Sequence, residues 1–459
     1  MKKTEKKLLS LVLAAAMTIS LSACGGGQKA EETTAAQGTQ TAEAQTTEAA
    51  KGDAAESGDG VTLTMSWWGG DSRHEATLKA LELFEEKYPN IKVEPQYGAW
   101  GGWLEQLSVQ MAGNTEPDVM QINWNWIYEF SADGTGFTNL NQYADVLELD
   151  QYPENLLEEM SINGNLLGVP ISTTGKVFYW NKTTFDKAGL EVPNSFEDMI
   201  EAGQVFKEKL GEDYYPMALT PYEQMLIMVY YLQQKYDKQW IVDQQVNFTQ
   251  EEVADGIAFI RMLEDSHVFP SQQKLTSDGA DTMDKNVNWM NGKYAGFYEW
   301  DSSQAKFANA LEEGQEMVMG GYPYDYGQTK AGTAKISMAY AISDTCSHPE
   351  EAALLISFLQ SDPEAVKIQG TQRGIVSHEG AKKILEEDGQ LSDLTYTSNL
   401  AAMENAGFPL DPYFEDVKLK DSTGLYFEIF EAMSYDNTDP MELAELLIEG
   451  INEVQEKNK

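Results

Sequence analysis

Apolar and polar positions alternate at Val61, Leu63, Met65 and Trp67, the two-residue period of a strand with one face buried. Gly69-Gly70-Asp71 breaks the alternation, and Thr77, Leu81, Phe84 and Tyr88 then recur at helical spacing until Pro89-Asn90 stops them. Ser72 with Glu75 has the spacing of a capping box at the head of that helix. Ile91, Val93 and Pro95 predict a second strand, Leu104, Leu107 and Met111 a second helix ended by Gly113-Asn114, and Val119 to Ile122 a third strand. Strands alternating with helices are the grammar of a parallel sheet covered on its faces. The pattern returns after Pro170, with a strand at Val177 to Trp180, a helix opened by Ser195 with Asp198, a strand at Met217 to Leu219 and a helix through Tyr231. Farther on, Phe297 to Trp300 reads as a strand, and Ser347 with Glu350 and Ser361 with Glu364 open two more helices. No short internal repeat occurs, which excludes a solenoid or propeller.

The first 60 residues follow other rules. Lys2, Lys3, Lys6 and Lys7 precede an apolar run from Leu8 to Ile19, too short to span a bilayer as a stable anchor. Leu21-Ser22-Ala23-Cys24 follows, with small residues before the cysteine, and resembles a bacterial lipobox. Residues 1–23 are therefore expected to be a signal peptide and Cys24 the lipidated first residue. Residues 25–60 carry no aromatic and no large aliphatic side chain, so they cannot bury enough surface to offset chain entropy and read as an acidic tether.

Length and charge narrow the function. A chain of 459 residues predicts two or three domains, and 42% apolar residues supply their cores. The net charge of -42 excludes nucleic acid, because no Lys/Arg cluster exists beyond the first seven residues. The same acidity disfavours anionic membrane except through the lipid. Cys24 and Cys346 cannot build a disulfide framework, and no base is marked beside Cys346. The four histidines, His74, His267, His348 and His378, lie far apart with no metalloprotease motif, and no Walker-type loop occurs. No cofactor is expected.

Several short motifs then fall in a familiar order: Trp67-Trp68-Gly69-Gly70-Asp71, the helix to Pro89 before Ile91-Lys92-Val93, Gly113 to Asp118, Leu167-Gly168-Val169-Pro170, Tyr179-Trp180-Asn181-Lys182, and Asn291-Gly292-Lys293 running on to Glu299-Trp300-Asp301. Together they span most of residues 61–380, and the chain resembles the extracellular sugar-binding proteins of bacterial ABC importers related to maltose-binding protein. The resemblance implies a periplasmic-binding-protein-like α/β fold of two lobes joined by a hinge, with the ligand cleft between them. It places residues 61–171 with 297–350 in the first lobe and 172–296 with 351–459 in the second. It also implies a monomer that hands its ligand to ABC permease subunits.

A sugar offers hydroxyls at ring edges and C–H patches on ring faces, so its cleft needs aromatic planes and polar groups converging at strand ends. By alternation Trp67 belongs to the core and Trp68 is left to line the cleft. Trp100, before a glycine turn, is a candidate for the cleft mouth. The dense run after the third strand supplies Asn123, Trp124 and Trp126, of which Trp126 has helix packing as its alternative. The resemblance adds Asp71 and Arg73 at the helix entrance, an ion pair between them being the alternative. It also adds Thr174 at the crossing after Pro170, and Tyr222 beside Glu223 in the second lobe. Tyr179 is a candidate that also suits the core. Trp300 is expected as a stacking plane, Asp301 as a hydroxyl acceptor, and Arg373 as a further ligand contact.

The function expected is extracytoplasmic binding of a carbohydrate, an oligosaccharide, and its delivery by hinge closure. Two rivals remain at this stage: the same fold holding a peptide or polyamine, and a lipid-anchored glycoside hydrolase using paired carboxylates.

Overall fold

The computed structural model describes residues 60–391, 393–435 and 438–457. Residues 1–59, with the expected export signal, Cys24 and all but the last residue of the expected tether, lie outside the described residues. Among the described residues no helix is long and apolar enough to cross a membrane.

The opening pattern folds as its periodicity dictates. Strand β1 (Val61–Trp68), helix α1 (Asp71–Lys87), β2 (Ile91–Gly98), α2 (Trp103–Gly113) and β3 (Val119–Asn123) follow in order. Both β2 and β3 pair with β1 in parallel. Pro95 is tolerated because β2 ends the sheet and its missing donor leaves no ladder bond unmade. The helix caps differ from expectation at three places. Helix α1 begins at Asp71 after Gly70, with no side-chain cap, and Ser72 instead donates to Gln372. The helices expected from Ser347 and Ser361 start later, at Pro349 and Pro363, because proline is pre-set for the first helical position. Ser195 does cap its helix, accepting from the backbone N–H of Asp198.

One strand organises the rest. β4 (Val169–Asn181) runs for 13 residues, nearly all buried. Its first half pairs antiparallel with β7 (Ala334–Ile342) and β8 (Ile375–Val376). Its second half pairs antiparallel with β5 (Gly296–Trp300) and β6 (Met317–Met319). β7 also lies antiparallel to β3, so the eight strands form one connected sheet ordered β6-β4-β7-β3-β1-β2, with β5 and β8 also on β4. The expected strand at Met217 to Leu219 is absent: Met217 and Ala218 make single backbone bonds to Val268 and Gly296 without a ladder.

Two hydrophobic cores sit on either side of that shared strand. The first gathers residues from β1, β2, β3, α1 and α2 with Ile336 to Ile342 and the helix Pro349–Ser361, where Phe358 meets Phe84 edge-on at 5.3 Å. The second gathers Val177 to Trp180, the helix Pro221–Tyr236, Phe297, Tyr298 and Phe307, and the C-terminal helices through Val454. The helix Pro221–Tyr236 is apolar on nearly every side and is buried accordingly. Packing thus apportions the chain differently from the expected boundaries. Phe297 and Tyr298 belong to the second core because β5 pairs with the far half of β4. The helix Pro349–Ser361 belongs to the first because its apolar face closes over α1.

Candidate functional site

The strand ends of the first core carry a tryptophan wall. Trp68, the last residue of β1, lies 5.0 Å from Trp100, 5.1 Å from Trp126 and 6.2 Å from Trp103, ring centre to ring centre. Trp100 also stacks on Trp126, with centroids 5.7 Å apart and planes 13° from parallel. Only Trp100 is open, at 53% exposure, while Trp68, Trp103, Trp124 and Trp126 are buried. The expectation that Trp68 itself lines the cleft is corrected: both faces of a sheet covered by helices are buried, so alternation there does not separate core from cleft. The Trp124 indole N–H is buried without a hydrogen-bond partner. Asn123 donates to Asn125, which donates across to the Pro412 carbonyl at 3.1 Å, and Tyr128 meets Tyr413 edge-on at 6.2 Å. At these two points the lobes touch, because the Tyr413 segment packs on the second core.

Asp71 is exposed on the first turn of α1. Arg73 does not pair with it; its guanidinium donates to the carbonyls of Trp68 and Gln372, both at 3.0 Å. Burial and the neighbouring Arg373 push the Arg73 pKa down to about 10. Four expectations fail for one reason, the depth of the side chain. Tyr179 is fully buried against Phe297 and belongs to the second core. Arg373 is 4% exposed inside the first lobe, held by Gln121, Gln369 and Thr77. Thr174 is buried on β4 and donates to Asp301 at 2.5 Å. Asp301 also accepts from the N–H groups of Gly175 and Ser302 and from the Asn399 amide, so its acceptor positions are filled by the protein. It pins the strand crossing to the helix Leu394–Asn405. Burial raises its pKa against these hydrogen bonds.

The second lobe supplies a different surface. Trp300, at the end of β5, is half-buried, with the Lys335 ammonium 4.6 Å and the Lys176 ammonium 5.0 Å from its ring centre. Lys176 and Lys420 also flank Tyr222, at 5.3 and 5.5 Å. Tyr222 donates to Glu415 at 3.0 Å, and Glu415 pairs with Lys335 and Lys420. Lys176 pairs with Glu223 at 3.1 Å and Glu299 at 3.3 Å. Burial works to lower the Lys176 pKa, but Glu299 and Glu223 outweigh it and hold the ammonium above its usual range. For Lys335, burial wins over Glu415 and the pKa falls. Burial works to raise the Glu415 pKa, yet the two lysines hold the carboxylate far below its ordinary range. Two partly buried aromatic rings with three ammoniums within 5.5 Å of their centres, and three carboxylates paired with those ammoniums, bring aromatic surface and charged hydrogen-bonding groups together. Sequence reasoning missed Lys176, Lys335, Lys420, Glu299 and Glu415. The available signal was Lys176 itself, a lone charge inside an otherwise buried apolar strand.

Cys346 has a thiol pushed up to about 12 by burial, which suits an unreactive cysteine.

A strand shared by two α/β cores, beside aromatic and charged groups near the crossing, defines a two-lobed solute-binding protein. The sequence profile described as bacterial extracellular solute-binding protein matches residues 70–366, and the chain belongs to that family. Among solved structures it is similar to a periplasmic oligogalacturonide-binding protein from Yersinia enterocolitica in complex with saturated digalacturonic acid. The two are 35% identical with a TM-score of 0.79, covering 87% of this chain and 99% of that one. A periplasmic solute-binding protein from Pectobacterium atrosepticum is 33% identical with a TM-score of 0.81 over the same shares. A melibiose/raffinose/stachyose-binding protein from Bacillus subtilis is 25% identical over 174 residues, 37% of this chain and 39% of that one. The chain spans half or less of the length of the curated relatives it matches, 50%, 46% and 39% in three of them. The family and these two structures are described as solute-binding or oligogalacturonide-binding proteins.

Proposed function

We propose that the chain binds an oligosaccharide in the cleft beside Trp300 and Tyr222, closes over it from the tryptophan wall, and presents the closed form to ABC permease subunits. The observation that carries this reading is the half-buried Trp300 ring with two ammonium groups 4.6 and 5.0 Å from its centre and Tyr222 sharing one of them. The exposed part of an aromatic ring takes the C–H face of a pyranose, and charged groups beside it take the hydroxyls. The chain acts as a monomer, held at the extracytoplasmic face of the cell membrane by the lipid on Cys24. Bound sugar leaves unaltered, because the carboxylates at this site are committed to lysine pairs.

Within the carbohydrates, we favour one that carries carboxylates. The Yersinia relative, 35% identical, is described in complex with saturated digalacturonic acid, and Lys420 beside Tyr222, although paired with Glu415, stays partly exposed. Calorimetric titration with galacturonate oligomers, neutral oligosaccharides of equal length, peptides and polyamines tests both levels. Saturable binding of the galacturonates, with the oligomers recovered intact by chromatography, supports the acidic sugar. Tight binding of neutral sugars alone overturns the acidic preference, and binding of polyamines or peptides alone overturns the carbohydrate.

A further inference from the structure

We infer that a halide-sized anion occupies a small cavity in the first lobe, between Arg373, Tyr340 and Gln360. The cavity measures about 30 Å³ and is lined by those three residues with Gln369 and the apolar Ile171, Leu359 and Val366. About 10–15 Å³ is enough for one water, so there is room for one monoatomic ion. It lies apart from Trp300 and Tyr222, and the inference does not rest on the sugar reading.

The argument is one of charge and of donors. Arg373 is 4% exposed, Tyr340 1% and Gln360 7%. The guanidinium spends three of its five N–H groups on neutral acceptors: Nε on Gln121 at 2.8 Å, Nη2 on Thr77 at 2.9 Å and Nη1 on Gln369 at 3.2 Å. Among the described residues no carboxylate forms an ion pair with Arg373 or with its neighbour Arg73, and the two guanidiniums are close enough for Arg373 to lower the pKa of Arg73. A buried guanidinium left uncompensated is costly. The Tyr340 hydroxyl and the Gln360 amide nitrogen are both buried with no partner, and the Tyr340 ring centre lies 5.8 Å from the guanidinium carbon. A water in this cavity accepts two of the available hydrogens and must place two of its own. The Tyr340 hydroxyl oxygen, the Gln360 side-chain oxygen and the Gln369 oxygen, already engaged by Arg373, can receive them, but a water so bound leaves the guanidinium charge uncompensated. An anion accepts from every donor at once and cancels the charge.

The site also ties the lobe to the crossing strand. Ser172 on β4 donates to the Arg373 carbonyl at 2.5 Å, and the Ser377 N–H bonds to Ile171. Filling the cavity therefore steadies the first lobe next to the hinge, and the binding shows as stability.

The test uses the mature protein in sodium gluconate, titrated with sodium chloride or bromide at constant ionic strength while thermal unfolding is followed. The midpoint is expected to rise saturably with either halide. Crystals grown in bromide are expected to show an anomalous peak between Tyr340 and Arg373. Arg373→Met is expected to abolish the halide response. Should that variant fail to fold, Tyr340→Phe, which removes only the hydroxyl, is expected to fold and to require about tenfold more halide. A midpoint indifferent to halide, density for water alone at the site, or a response unchanged in Tyr340→Phe overturns the inference.

Discussion

At the scale of single residues, the decisive variable is what surrounds a charge or a ring. Trp300 is held in place by two ammoniums within 5.0 Å of its ring centre while part of the ring stays exposed for a ligand. Trp300→Ala is expected to weaken sugar binding by about thirtyfold, corresponding to about 2 kcal/mol at a well-packed contact. Calorimetry measures it, with an unchanged unfolding midpoint as the control. Glu159 makes a second residue-scale prediction. Burial lifts its pKa from the ordinary carboxylate value to about 7. The folded protein then holds a proton that the unfolded chain releases between about pH 4.5 and 7, so this group's contribution to stability falls as pH rises through that window and is level above it. Glu159→Gln removes the penalty. The variant is expected to unfold at a higher temperature than the parent at pH 8, by on the order of 1–2 kcal/mol, with the difference gone at pH 4. Equal midpoints at both pH values would refute the assignment.

At the scale of elements, β4 is where the two cores become one molecule. Its middle residues are small and polar, Ser172, Thr173, Thr174 and Gly175, between apolar halves that each feed a separate core. Gly175 is needed there for space: a Cβ at that position meets the Ala402 side chain at 2.4 Å. Glycine inside a strand marks such a close approach. Gly175→Ala is expected to destabilise by about 1–3 kcal/mol through overpacking, and Ala402→Gly in the same chain to recover part of the loss. Denaturant melts of the three variants measure this, and no recovery in the double variant would place the strain elsewhere. Legibility followed the elements. Strands and helices of the opening unit were readable because their periods of two and 3.6 are set locally. The extent of β4 was not, since its first half carries polar residues that only pairing with β7 and β8 makes strand-like. Helix starts at Pro349 and Pro363 were missed by one or two residues because serine capping and proline pre-organisation compete for the same boundary.

At the scale of the whole molecule, the lobes meet through Asn125 with Pro412 and Tyr128 with Tyr413, contacts small enough to part. Small-angle scattering is expected to show a smaller radius of gyration with a bound oligosaccharide than without. Asn125→Ala is expected to weaken binding severalfold while leaving each lobe folded, because it removes one hydrogen bond between the lobes. No compaction with any ligand that binds would remove hinge closure from the proposed function. The sequence by itself determined the α/β class, the order of its opening elements, the family, and the supply of aromatic side chains, since these depend on composition, on local periods and on motif order. Tertiary structure alone decided which candidates sit where ligand can reach them. It buried Tyr179, Thr174, Asp301 and Arg373, left Trp100 open, and brought Lys176, Lys335 and Lys420 to Trp300 and Tyr222 from positions up to 244 residues apart. The reason is physical: depth and charge pairing are set by neighbours distant in the chain, and no local pattern encodes them.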